Sequence, residues 1–110
     1  MTQSEVISAM ACLSDGNELN IFRLLVRAGD EGLAGNEIAQ RLHLSLSALM
    51  IGLTRLKEGG LVAFRGDGQA VVYHAKCAVM NKVLAYLIDT CCEGCVSMQD
   101  AAKGVAPTLR

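Results

Sequence analysis

A mainly α-helical domain carrying one β-hairpin is what this sequence predicts, and three features carry the prediction. Apolar residues recur at helical spacing in several separate stretches. Two of these stretches, "GNEIAQRL" and "SLSALMIGLTRL", are separated by a short link. Late in the chain, two β-branched runs flank "GDGQ", the composition of a tight hairpin turn. The length of 110 residues suits one domain with a modest core, and 52% apolar against 19% charged residues excludes a disordered chain.

The elements follow in order. From Glu5 to Leu13, Val6, Ile7, Met10 and Leu13 form one greasy face of a first helix. A second helix begins at "SDGNE", where Asp15 can cap and Glu18 can reach back as in a capping box. Its apolar residues Leu19, Ile21, Phe22, Leu24, Leu25 and Val26 surround most of the cylinder, which predicts a central, buried helix ending at Gly29. A third helix, about Gly35 to Leu42, sets Ile38, Ala39 and Leu42 on one side. After "HL", Ser45 can cap a fourth helix running to Lys57, which Gly59 and Gly60 stop. "LVAFR" and "AVVYHA" then pair as a hairpin with Asp67 and Gly68 in its turn. In "VMNKVLAYLIDTCC", Val79, Met80, Val83, Leu84, Leu87 and Ile88 share the face of a last helix. The order α-α-α-α-β-β-α is that of a winged helix-turn-helix with an extra helix at each end. Residues 1–93 form this domain, and 94–110, with little periodicity, read as a mobile tail.

Several classes of function are disfavoured. No apolar run approaches the ~18 residues of a membrane span. The opening "MTQSEVISAM" lacks the basic cluster of a leader, so the expected location is the cytoplasm. A formal net charge of −1 supplies no broad pull toward nucleic acid, so any such contact needs a local basic patch. No histidine and carboxylate are spaced for acid–base work, and the cysteines lack an evident base, which argues against an enzyme. The five cysteines, without an export signal, read as thiols. Cys12 falls on the apolar face of the first helix, as a core thiol would, and Cys77 begins the last one. Cys91, Cys92 and Cys95 cluster in "CCEGC". His43 reads as a turn residue and His74 as a strand residue.

Together "LSD" with "LNIFRLLV", "GLAGNEIAQRL", "LSLSALMIGLTRLKEGGLV", "VVYHA" and "VMNKVLAYLIDTCC" resemble the ArsR/SmtB family of metal- and metalloid-responsive repressors, over roughly Leu13 to Cys92. The likeness is to the arsenic-responsive branch with adjacent cysteines at the end of the last helix. The resemblance implies a homodimer built from the first and last helices, with Val6, Met10, Val83, Leu84 and Leu87 at the interface. It also implies operator DNA bound without inducer and released when trivalent arsenic or antimony is captured, with no cofactor required. The sequence departs from the family pattern at three places. Gly52 stands where the recognition helix has a histidine, "RGDGQA" keeps only Arg65 of the wing arginines, and "GNE" replaces Pro-x-Arg before the second helix.

As(III) and Sb(III) are soft and prefer thiolates. On a helix Cys91, Cys92 and Cys95 project at about 0°, 100° and 40°, within one arc, and Gly94 can free Cys95 to fold over the pair. The same cysteines also fit small apolar residues or a redox pair. For DNA, Ser45, Ser47, Thr54, Arg55, Lys57 and Arg65 are candidates for phosphates, and Ala48 and Ile51 for thymine methyls. Against this, Met50 and Ile51 suit an exposed patch that binds protein, or packing into the domain itself. A thiol redox regulator is the third reading.

Overall fold

The computed structural model describes residues 1–66 and 71–91. Helix α1 (Gln3–Ala11) starts two residues before the apolar spacing predicts, because Thr2 and Glu5 close a reciprocal capping box. The Glu5 N–H donates to Thr2 Oγ1 over 3.1 Å and the Thr2 N–H to Glu5 Oε1 over 2.8 Å. Helix α2 (Gly16–Ala28) is capped as expected by Asp15, whose carboxylate accepts from the Asn17 N–H at 2.8 Å. The expected partner of that cap, Glu18, does not reach back. It turns inward and is buried.

A 3₁₀ turn (Gly29–Glu31) leads to a two-residue strand, β1 (Leu33–Ala34), which the sequence pattern did not predict. The chain arrives through Gly32 at φ +67°, where any Cβ would collide with the Tyr73 carbonyl oxygen, so glycine allows the strand to close on its neighbour. Helices α3 (Gly35–Leu42) and α4 (Leu46–Glu58) follow, joined by His43, Leu44 and Ser45. His43 adopts the left-handed conformation at φ 55°, and the N–H groups of His43 and Leu44 both donate to the Ala39 carbonyl. This turn fixes α4 against α3. Strands β2 (Val62–Arg65) and β3 (Val72–Ala75) form the hairpin, and β3 lies between β1 and β2 in an antiparallel sheet. Phe64 is in register with Tyr73 and their rings stand 6.2 Å apart. The turn residues Asp67 and Gly68 lie outside the described residues.

Leu49, Leu53 and Leu56 of α4 meet Ile21 and Leu25 of α2, Ile38 of α3 and Leu61 in one fully buried core. Helix α5 (Cys77–Cys91) lies along α1. Here the predicted partner-facing residues divide. Val6 and Val83 are each 3% exposed and pack inside the protomer, so neither is presented to a second chain. Met10 and Leu84, at 47% and 49%, are presented outward, together with Ile7, and Leu87 is half-buried.

Helices α2 and α4 touch where Gly52 has no side chain. A Cβ there would lie 2.7 Å from Ile21 Cδ1, the tip of a fully buried side chain. Gly52→Ala gains about 1 kcal/mol of helix propensity but overpacks this seam by about 1–3 kcal/mol. The expected result is a net destabilisation of about 1 kcal/mol, read as a lower urea midpoint at unchanged slope.

Candidate nucleic-acid interface and thiol site

Because Leu49, Gly52, Leu53 and Leu56 face the core, helical geometry turns Ser47, Ile51, Thr54 and Glu58 outward, and all four are exposed. Ser45 caps the helix by accepting from the Ala48 N–H at 3.1 Å, and its hydroxyl stands 3.4 Å from that of Ser47. The first turn of α4 therefore offers two hydroxyls. Ala48 is half-buried on the flank toward α2, where it shares a small groove with Asp15, Asn17 and Ile51. Leu46 and Met50 lie on the other flank, both exposed, with Leu46 beside Ala39 and Leu44. Neither Met50 nor Ile51 packs into the domain, which removes one of the sequence-level alternatives.

The three candidate cations each have a partner. Arg55 Nη1 is 3.4 Å from Glu18 Oε1, the ion pair found among the described residues. Lys57 Nζ sits 4.2 Å over the Phe64 ring, which ties the end of α4 to the wing. Arg65 Nη2 donates to the Glu31 carbonyl over 2.9 Å. These contacts orient the cations around the outward face of α4 while leaving guanidinium and ammonium N–H groups for a further acceptor. Sequence reasoning found Arg55 but missed Glu18, because the two are 37 residues apart and the local capping pattern offered Glu18 another use.

Cys91 ends α5, exposed, with Sγ 3.4 Å from Thr90 Oγ1. Thr90 spends its own proton on the Tyr86 carbonyl at 2.8 Å, so the thiol is the donor in that contact. Cys92, Cys95 and the tail predicted over 94–110 lie outside the described residues. Among the described residues no three His, Cys, Asp or Glu side chains gather as a metal site. His43 and His74 occupy the turn and the strand expected of them.

Cys12 is a core thiol, donating to the Ala9 carbonyl at 3.0 Å. Burial pushes its pKa up, and the Glu18 carboxylate adds to the rise. A thiol raised on folding contributes stability that is complete below the unfolded value of about 8.5 and is lost as pH rises through the folded value. Wild-type stability should therefore fall above this point relative to Cys12→Ala, as urea titrations across pH would record. In mass-resolved alkylation, exposed Cys77 should react at once and Cys12 only on unfolding.

No protein-family model matches the chain, and no curated protein does. Solved structures do. An ArsR-like transcriptional regulator from Rhodococcus sp. RHA1 is 28% identical, with a TM-score of 0.73 over 96% of each chain. Reduced HlyU from Vibrio cholerae is 27% identical, with a TM-score of 0.60 over 80% of this chain and 90% of that one. A homodimeric winged helix-turn-helix DNA-binding domain from Mycobacterium bovis, described as a possible ArsR-family regulator, is 22% identical and shares the fold, with a TM-score of 0.63 over 92% of this chain and 84% of that one. The fold is thus a winged helix-turn-helix of the ArsR-like type, and its structural neighbours are transcriptional regulators rather than enzymes. Among the described residues no helix is long and apolar enough to cross a membrane.

Proposed function

We propose that this chain is a homodimeric transcriptional repressor of the ArsR/SmtB family that binds operator DNA and releases it when thiols capture As(III) or Sb(III). The observation that carries the reading is the outward face of α4. It is a capped helix bearing Ser47, Ile51 and Thr54, flanked by Arg55 and Lys57 and bordered by a wing with Arg65, in a fold shared with ArsR-like regulators. Ser45, Ser47, Thr54 and the three cations meet phosphates, while Ala48 and Ile51 meet thymine methyls, which an apolar side chain can read in the major groove. Two copies join through the apolar strip that α1 and α5 leave exposed, Ile7, Met10 and Leu84. The dimer sets the two α4 helices one DNA turn apart.

Cys91, with Cys92 and Cys95, is the thiol trap. Metalloid bound there reshapes the end of α5, and because α5 borders the joining strip, the spacing of the two α4 helices changes. The protein acts in the cytoplasm, where thiols stay reduced.

Fluorescence anisotropy of reduced protein on DNA from upstream of its gene, with random duplex as control and with and without arsenite, tests the reading. Selective binding lost with arsenite supports it. An absence of selective binding, with Leu46, Met50 and Ile51 exposed on α4, shifts the assignment to a protein partner. Release by oxidant and not by arsenite shifts it to thiol redox sensing.

A further inference from the structure

We propose that Glu18 is a positioning residue for DNA binding, holding the Arg55 guanidinium at the seam of α2 and α4, where it meets a backbone phosphate. This rests on the DNA-binding reading above. The pair is asymmetric: the Glu18 side chain is 3% exposed and that of Arg55 58%. Glu18 lies too deep to meet DNA itself, whereas Arg55 has one end fixed and the rest open to solvent.

A carboxylate this buried needs a counter-charge, and Arg55 is its ion-pair partner. The Glu18 side chain runs past Gly52 of α4, where a Cβ would meet Glu18 Cγ at 3.6 Å, an ordinary van der Waals contact, and would crowd Ile21 Cδ1 at 2.7 Å. Arg55 follows Gly52 by three residues, on the same flank of the helix. Ala48, Ile51 and Arg55 then border one side of a groove of about 130 Å³, and Asp15 and Asn17 at the start of α2 border the other. The two departures at "GNE" and at Gly52 thus meet at one place.

Arg55 contributes five N–H donors in a rigid fork, and the contact to Glu18 engages one nitrogen, Nη1. That contact tethers one nitrogen of the fork before DNA arrives, while the Arg55 side chain stays 58% exposed. Glu18 cancels part of the charge of Arg55 at long range, so its net effect on binding has a sign that experiment can read. Positioning makes Glu18→Gln weaken binding, whereas simple charge cancellation makes it tighten binding.

The test is a double-variant cycle in anisotropy on the upstream duplex, as the full chain. Arg55→Gln should weaken binding and lower the salt slope by about one contact per subunit. Glu18→Gln should weaken binding about three- to tenfold, within the coupling range of contacting residues, and should have no further effect once Arg55 is Gln. Tighter binding by Glu18→Gln, or an equal loss with and without Arg55, overturns the proposal. If Glu18→Gln does not fold, Glu18→Asp carries the same cycle, since it keeps the charge and withdraws the carboxylate by one methylene. Wild-type protein that fails to bind the duplex overturns the DNA-binding reading itself, and the positioning role with it. Binding that is intact but uncoupled removes the positioning role alone.

Discussion

Replacing Ile51 with aspartate is expected to abolish most selective DNA binding while leaving the fold intact. Ile51 is 57% exposed at the middle of the outward strip of α4, one turn from Ser47 and three residues from Thr54. Solvent-facing substitutions of this kind change stability by no more than about 0.5 kcal/mol, so the urea midpoint should barely move. On DNA the change is large, because a carboxylate enters the groove among phosphates and carbonyl acceptors where an apolar group met a methyl. A wrong contact at one base pair is worth about 1–3 kcal/mol, and a dimer makes it twice. The expected loss in anisotropy is well over tenfold. Ile51→Ala is the control for mechanism: it removes only the methyl contact and should relax preference at A·T positions more than it lowers affinity for random duplex. An Ile51→Asp variant that binds as tightly as wild type would mean that the outward face of α4 meets something other than DNA.

The order of elements was legible because each is written locally. Ser45 marks the start of α4 and Asp15 the start of α2, and both cap as predicted, while Leu49, Leu53 and Leu56 share the helical face that the core takes up. Gly35–Leu42 has the same bounds in sequence and structure. What could not be read depends on partners distant in the chain. Strand β1 has two residues and exists because Tyr73 and Val72 pair with it. Glu18 satisfies a local capping pattern, yet the ion pair across the α2–α4 seam prevails. The apolar arc of α1 is divided between the core and the outer surface. Periodicity locates such an arc without saying that Val6 and Ala9 face α5 and the core while Ile7 and Met10 face outward. The Thr2–Glu5 capping box, by contrast, was present in the sequence as Thr-x-x-Glu, and an apolar count that begins at Glu5 passes over it. For the candidate site, the sequence named the candidate cations but not their tethers. Phe64 under Lys57 and the Glu31 carbonyl beside Arg65 are brought in by the wing and by the turn before β1.

Arsenite is expected to weaken binding to the upstream duplex by a factor between about 5 and 150, the range of an ordinary coupling free energy. The placement of Cys91 makes such coupling physical. It lies seven residues after Leu84, about two helical turns, on the face of α5 that carries exposed Leu84 and half-buried Leu87. A ligand that replaces the Cys91 thiol proton withdraws the donor from Thr90, whose hydroxyl is already committed to Tyr86, and so disturbs the last turn of the helix. Any shift of α5 is then felt along α1, against which it packs. Cys91→Ser with Cys92→Ser should bind DNA as wild type does and lose the arsenite response, whereas Cys12→Ala should keep both. Reciprocity supplies an independent check, since saturating DNA must weaken arsenite uptake by the same factor that arsenite weakens DNA binding. Equal factors in the two titrations make the thiols and the α4 face two sites on one equilibrium. A response that survives the double serine variant would move the sensor to another thiol, and Cys77, exposed at the opposite end of the same helix, would be the next to replace.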